Sequence, residues 1–147
     1  MTKITDCIWI GNSHDAGHPQ PLKDVGIDAI LNCAHDLFGP YGWNAGFHYA
    51  QCGMVDGPGN PPMAYQSAVL QLASLVALGK KVLVHCHKGE SRSVAVVIAY
   101  LNTTDNKGWD HWRNVIRSLR PTPDHTPHMA FKEIFDEWFD SVKKIAA

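Results

Sequence analysis

An α/β (α+β) fold, with a central mixed sheet of about four to five strands flanked by helices, is predicted by three features of this chain. Four short apolar runs rich in β-branched residues, at 4–11, 27–33, 47–55 and 81–84, have strand length and are bounded by Gly, Asn and Asp. From residue 63 onward, larger apolar residues recur instead at helical spacing. The resulting order of strand, strand, strand, helix, strand, helix, helix, helix buries its apolar faces best as a sheet covered by helices. At 147 residues the whole chain, 1–147, reads as one domain with a single sizeable core.

Residues 4–11 alternate in part and end on Gly11-Asn12, a strand and its turn. Residues 13–26 are polar and broken by Pro19 and Pro21, with room for one short helix over 22–25. The second strand, 27–33, runs into a loop over 35–46 that is rich in glycine and aromatics, among them Phe38, Tyr41 and Trp43. The third strand closes on Asp56, and Gly57-Pro58-Gly59-Asn60-Pro61-Pro62 forms a stiff, turn-rich loop. A helix over 63–78 carries Tyr65, Ala68, Val69, Leu72, Leu75 and Val76 on one face, and Gly79 ends it. After the 81–84 strand come helices over 93–102 and 109–119, the second with Trp109, Trp112, Val115, Ile116 and Leu119 on one face. Pro121-Thr122-Pro123 breaks that helix. The last helix, 127–144, carries a stripe of Phe131, Ile134, Phe135, Trp138, Phe139 and Val142. The aromatics on these stripes read as core.

The stretch His85-Cys86-His87-Lys88-Gly89-Glu90-Ser91-Arg92-Ser93 joins the short 81–84 run to the long apolar run 94–101, and so reads as strand, tight loop and helix start. A helix start leaves backbone N–H groups without intrahelical partners, and its dipole favours anions. Cys86 opens the loop and Arg92 closes it, with five residues between. Loop amides, a helix N-terminus and a guanidinium all stabilise a thiolate. The same donors suit a phosphate dianion, two of whose oxygens Arg92 can grip at once. Gly89 is expected at positive φ, where the loop curls its amides inward.

His-Cys, five residues, then Arg-Ser resembles the signature loop of the cysteine-dependent protein tyrosine phosphatase superfamily, and its form is most similar to the dual-specificity branch. The resemblance extends over most of the chain, through Ile8-Trp9-Ile10-Gly11, residues 26–32 and 79–86, Ile98-Ala99-Tyr100-Leu101 and Leu119-Arg120-Pro121. One departure is Pro127-His128-Met129, where the family usually shows Pro-Asn; it puts a helix cap in doubt. The resemblance implies a protein tyrosine phosphatase-like fold and hydrolysis of phosphotyrosine and phosphoserine/threonine monoesters through a phosphocysteine intermediate. It also implies Cys86 as nucleophile, a phosphate cradle of His87, Lys88, Gly89, Glu90, Ser91 and Arg92, and Ser93 as donor to the leaving sulfur.

The family carries its general acid on a loop about thirty residues before the cysteine. Asp56 stands thirty before Cys86, after a strand and at the head of a Gly/Pro loop. Asp36 is the second candidate. Ser93 also suits a helix cap, and His85 reads as a support of the loop or as a satisfied buried histidine. Lys88 and Glu90 are expected to point outward, to a solvated rim or to substrate.

The composition, 45% hydrophobic and 18% charged with a net charge of −1, is that of a soluble globule without a basic surface for nucleic acid or anionic lipid. The N-terminus does not read as a signal peptide, and no run has the length of a membrane span. The four cysteines (Cys7, Cys33, Cys52 and Cys86) lack Cys-x-x-Cys spacing, as reduced thiols in a cytoplasmic protein would. Nine histidines invite a metal reading, but His85 and His87 flank Cys86 without converging, so neither a metal nor a cofactor is expected. The expected partner is a phosphorylated protein substrate and the expected state a monomer. Hydrolysis of a phosphoinositide, glucan or RNA 5′-phosphate, or an inactive phosphate-binding module, are the competing readings.

Overall fold

Alternation along the strands sorts the core into two layers on either side of one sheet. The computed structural model describes residues 1–37, 46–121 and 127–146. Its elements are β1 (Thr2–Lys3), β2 (Ile8–Gly11), α1 (Ser13–Ala16), α2 (Pro19–Asp24), β3 (Ala29–Ala34) and β4 (His48–Met54). There follow α3 (Pro62–Ala77), β5 (Val82–His85), α4 (Arg92–Thr104), α5 (Trp109–Leu119) and α6 (Met129–Ala146). The sheet order is β1-β2-β5-β3-β4, with β2, β5, β3 and β4 parallel and β1 antiparallel at the edge. On one face Ile8, Ile10, Leu31, Val82 and Val84 meet α3 and α4, against which α5 and α6 pack in turn. On the other, Trp9, Ile30 and Leu83 are covered by Ala16 and Leu22 of the two short helices. The predicted α/β sheet with flanking helices is therefore the observed fold.

Three expectations are corrected. Residues 13–26 hold two helices, because Asn12 caps α1 reciprocally with Asp15 and prolines sit in the first turn of α2. The strand over 4–11 is confined to β2, with β1 folding back on it across a turn in which Ile4 and Thr5 both donate to Ile8 O. Leu119 and Val142, expected on the packed stripes, lie 47% exposed near the ends of α5 and α6. Phe38, Tyr41 and Trp43, and the turn at Thr122 and Pro123, lie outside the described residues. No helix among the described residues is long and apolar enough to cross a membrane.

Two local devices aim the strand ends. β4 has one residue more than β3 between the pairs Asn32↔Gln51 and Ala34↔Met54, a bulge that re-aims the ends of both strands. It brings Gly53 so close to His35 that a Cβ there would stand 2.8 Å from His35 Cα. The Met54 carbonyl consequently collects the His35 N–H at 3.2 Å and His35 Nδ1 at 3.1 Å. On the other side of β5, Gly11 ends β2 against the loop that follows Cys86.

Candidate active site

The loop from β5 to α4 is held from behind, through its carbonyls. The Ser13 N–H donates to His87 O at 2.9 Å. Arg120 donates from Nε to Gly89 O at 3.0 Å and from Nη2 to Lys88 O at 3.4 Å, while its Nη1 is anchored on Thr2 Oγ1 at 2.9 Å. With the carbonyls drawn outward, the N–H groups turn the other way. Among the described residues none of the N–H groups of residues 87–91 has a protein acceptor. Gly89 adopts φ +71, and a Cβ there would stand 2.5 Å from Gly11 O and 2.7 Å from Arg120 Nη2. Only glycine fits both the dihedral and the space.

Cys86 is buried at the mouth of this loop, its Sγ 3.2 Å from Ser93 Oγ in the first turn of α4. A thiolate has no proton to give, so in that state the Ser93 hydroxyl is the donor. Arg92, 5% exposed, folds back beside them. Its Nη1 donates to Met54 O at 2.9 Å and to Asp36 Oδ1 at 3.2 Å. Asp36 also takes His87 Nε2 at 2.9 Å on its other oxygen, so one carboxylate ties the first and last residues after Cys86 together. Desolvation opposes ionisation of Asp36, but the hydrogen bonds from Arg92 and His87 outweigh it and lower its pKa to about 2. Nothing on the described chain meets Arg92 Nε, which is buried and unpartnered.

Asp56 hangs across the cleft from the loop after β4. Asn60 braces that loop, accepting the Val55 N–H at 2.9 Å and donating to Val55 O and Gly57 O at 2.8 and 3.2 Å. Asp56 Oδ1 accepts the Ser91 hydroxyl at 2.5 Å, and Ser91 Oγ in turn accepts the His128 N–H at 3.0 Å. His128 Nδ1 accepts the Ala130 N–H at 3.1 Å, so the histidine replaces the doubtful helix cap. Asp56, Cys86, His87, Lys88, Glu90, Ser91, Arg92 and His128 line a cleft of about 230 Å³. A larger hollow of about 450 Å³, lined by Met1, His14, His18 and Leu22 among others, contains none of them. Among the described residues no group of histidines, cysteines and carboxylates has the arrangement of a metal site.

His85 lies behind the nucleophile, 4% exposed, with Nδ1 3.3 Å from Cys86 O. Burial lowers its pKa to about 4, so the ring is neutral at ordinary pH and supports the loop instead of exchanging protons there. Unfolded, the same ring titrates near 6.5. Between these values the unfolded chain binds more protons, so stability falls as pH drops through the window. A His85→Gln variant should show a shallower loss of Tm between about pH 6.5 and about pH 4 than the parent protein. Equal slopes in thermal melts would mean that His85 is not buried neutral.

Residues 8–141 match the family described as dual specificity phosphatase, catalytic domain. The chain belongs to that family. It is 30% identical over 118 residues to Dual specificity protein phosphatase 12 of Mus musculus, covering 78% of this chain and 34% of that one. Against Dual specificity protein phosphatase 15 of the same species it is 30% identical over 146 residues, covering 97% of this chain and 60% of that one. It thus spans less than two thirds of either relative. Its fold superimposes on the crystal structure of human DUSP28 with a TM-score of 0.85 at 20% identity, covering 98% and 99% of the two chains.

In this dual specificity phosphatase chain, the residues singled out in sequence gather in one place: Cys86, Arg92 and Asp56 line one cleft, with Ser93 buried against the Cys86 sulfur and His85 beside the Cys86 carbonyl. Gly89 serves from the back of the loop, through its backbone. Sequence reasoning missed Asn60, Arg120 and the link from His128 to Ser91, and held Asp36 only as a second acid. For Asn60 a signal was available: an asparagine between Gly59 and Pro61 in a turn-rich loop commonly bonds its own backbone.

Proposed function

We propose that this chain is a phosphoprotein phosphatase that hydrolyses phosphotyrosine and phosphoserine/threonine monoesters through a phosphocysteine. The observation that carries this reading is the meeting of Cys86, Asp56 and Arg92 in one cleft, beside a loop whose N–H groups at 87–91 have no protein acceptor among the described residues and with Arg92 Nε buried and unpartnered. Burying a guanidinium N–H without a partner is costly. A phosphoryl group supplies the missing acceptors. Its oxygens take the amides and the Nε/Nη2 edge of Arg92, which leaves phosphorus in front of Sγ.

In the first step the Cys86 thiolate attacks phosphorus. The S–P bond forms, the P–O bond to the leaving group breaks, and the Asp56 carboxyl gives its proton to the departing oxygen. In the second step water attacks the phosphocysteine. Asp56, now a carboxylate, takes the proton from the water, the S–P bond breaks, and the Ser93 hydroxyl supports the returning thiolate. Asp36 is unsuited to the acid role, because a carboxyl with a pKa of about 2, hydrogen-bonded by Arg92 and His87, has no proton to give. The same reading takes the substrate to be a phosphorylated protein and the working form to be a cytoplasmic monomer, in keeping with four free cysteines.

The test is kcat/KM on matched phosphotyrosine and phosphothreonine peptides and on soluble phosphoinositides, with Cys86→Ser as the blank. The expected result is turnover of both peptides, tyrosine ahead through its better leaving group, and little turnover of phosphoinositides. A preference for phosphoinositides would overturn the protein-substrate reading, and no turnover above the blank would leave a phosphate-binding module.

A further inference from the structure

Three hydrogen bonds make His128 the joint between α6 and Asp56. Its backbone N–H donates to Ser91 Oγ at 3.0 Å, and Ser91 donates onward to Asp56 Oδ1 at 2.5 Å. Its ring Nδ1 accepts the N–H of Ala130, the second residue of α6, at 3.1 Å. Only a bare ring nitrogen accepts an N–H, so this contact requires the tautomer whose proton is on Nε2. That second nitrogen faces the Asp56 loop, 3.8 Å from the Cβ position of Gly57. The ring therefore does the work that serine, asparagine or aspartate usually does at a helix start. Unlike those residue types, histidine is one that changes charge in the neutral range.

We infer that His128 is a titratable helix cap and a positioning residue for Asp56: neutral, it pins the start of α6 and, through Ser91, holds the acid over Cys86; protonated, it releases both. A proton on Nδ1 would set an N–H against the Ala130 N–H. It would also put positive charge at the N-terminus of an 18-residue helix, where the dipole is itself positive. The imidazolium must therefore turn away; the first turn of α6 then loses its cap, and the backbone N–H of the cap residue, which orients Ser91, loosens with that turn. In the cleft, Asp56 and Glu90 favour the charged ring, whereas His87, Lys88 and Arg92 oppose it. On α6 the nearest cation in sequence, Lys132, is occupied by Asp136 at 2.6 Å. The inference rests on the phosphatase reading for its kinetic consequence but not for the structural one.

The decisive comparison is among the parent protein, His128→Asn and His128→Ala. Asparagine keeps a neutral cap at every pH and alanine keeps none. On an aryl phosphate with a poor leaving group, the ratio of kcat/KM in His128→Asn to that in the parent should rise about three- to tenfold from about pH 7.5 to about pH 5, the size of one lost cap. The ratio of His128→Asn to His128→Ala should stay constant. In parallel, the protection of the amides of residues 55–60, measured relative to their intrinsic exchange rate at each pH, should fall on acidification in the parent and not in His128→Asn. A flat first ratio, or protection that falls equally in both proteins, would overturn the inference. If no variant turns over aryl phosphate at any pH, the phosphatase reading fails instead, and the exchange measurement alone decides the role of His128.

Discussion

Arg92→Lys is expected to lower kcat/KM on an aryl phosphate by about 10²–10³ although the positive charge is kept, the usual cost of removing a donor from a preorganised oxyanion site. The reason lies in how the guanidinium is divided. One nitrogen, Nη1, is spent on Met54 O and Asp36, which fixes the plane of the group from the strand side. The opposite edge, Nε with Nη2, then has the spacing of two phosphate oxygens. Lysine offers one compact ammonium. It can reach the Met54 and Asp36 acceptors or the phosphate, but it cannot span both, and its donors do not match the fork. Inhibition by orthovanadate should weaken in step with kcat/KM, since that anion would occupy the same edge. Retention of near-full activity by Arg92→Lys, with unchanged melting, would mean that phosphate is not held by this side chain.

What could be read from sequence divides by range along the chain. The Cys86 to Ser93 loop is a local object, in which strand, glycine, arginine and helix start follow one another within a few residues, so spacing alone carried its geometry. Strands β3 and β5 and helix α4 were legible as continuous apolar runs buried on all sides, and helices α3, α5 and α6 because each buries one periodic face. Contacts that join distant segments left no such trace. Asp36 reaches Arg92 only because the bulge in β4 re-aims the ends of two adjacent strands, and no local pattern announces a one-residue register shift. Arg120 supports Gly89 from the end of a helix thirty-one residues further on, and His128 meets Ser91 across a similar gap. The short β1 pairs just two residues with β2, too few for any periodicity. By contrast, α1 was readable in principle, since Asn12 followed three residues later by Asp15 is a capping-box pattern.

Asp56→Asn should reduce kcat by about 10²–10⁴ on substrates with poor leaving groups, the contribution expected of a positioned general acid. Asparagine nearly preserves the shape, and its side-chain oxygen can still accept the Ser91 hydroxyl, so the loop braced by Asn60 should stay in place. What is lost is the proton. Two consequences separate that loss from simple disruption. The alkaline limb of the kcat profile, along which the acid becomes deprotonated, should disappear in the variant. The penalty should also shrink sharply with an aryl phosphate whose leaving group departs without protonation, because the thiolate, the amides and Arg92 still act on it. Substitution of Asp36 should behave differently, costing good and poor leaving groups alike, since Asp36 orients Arg92 and His87 and is already ionised. Steady-state kinetics of both variants on a series of aryl phosphates would decide between the two carboxylates. A slope against leaving-group pKa that steepens in Asp56→Asn assigns the proton to Asp56, and an unchanged slope there with a steeper one on Asp36 substitution would reverse the roles.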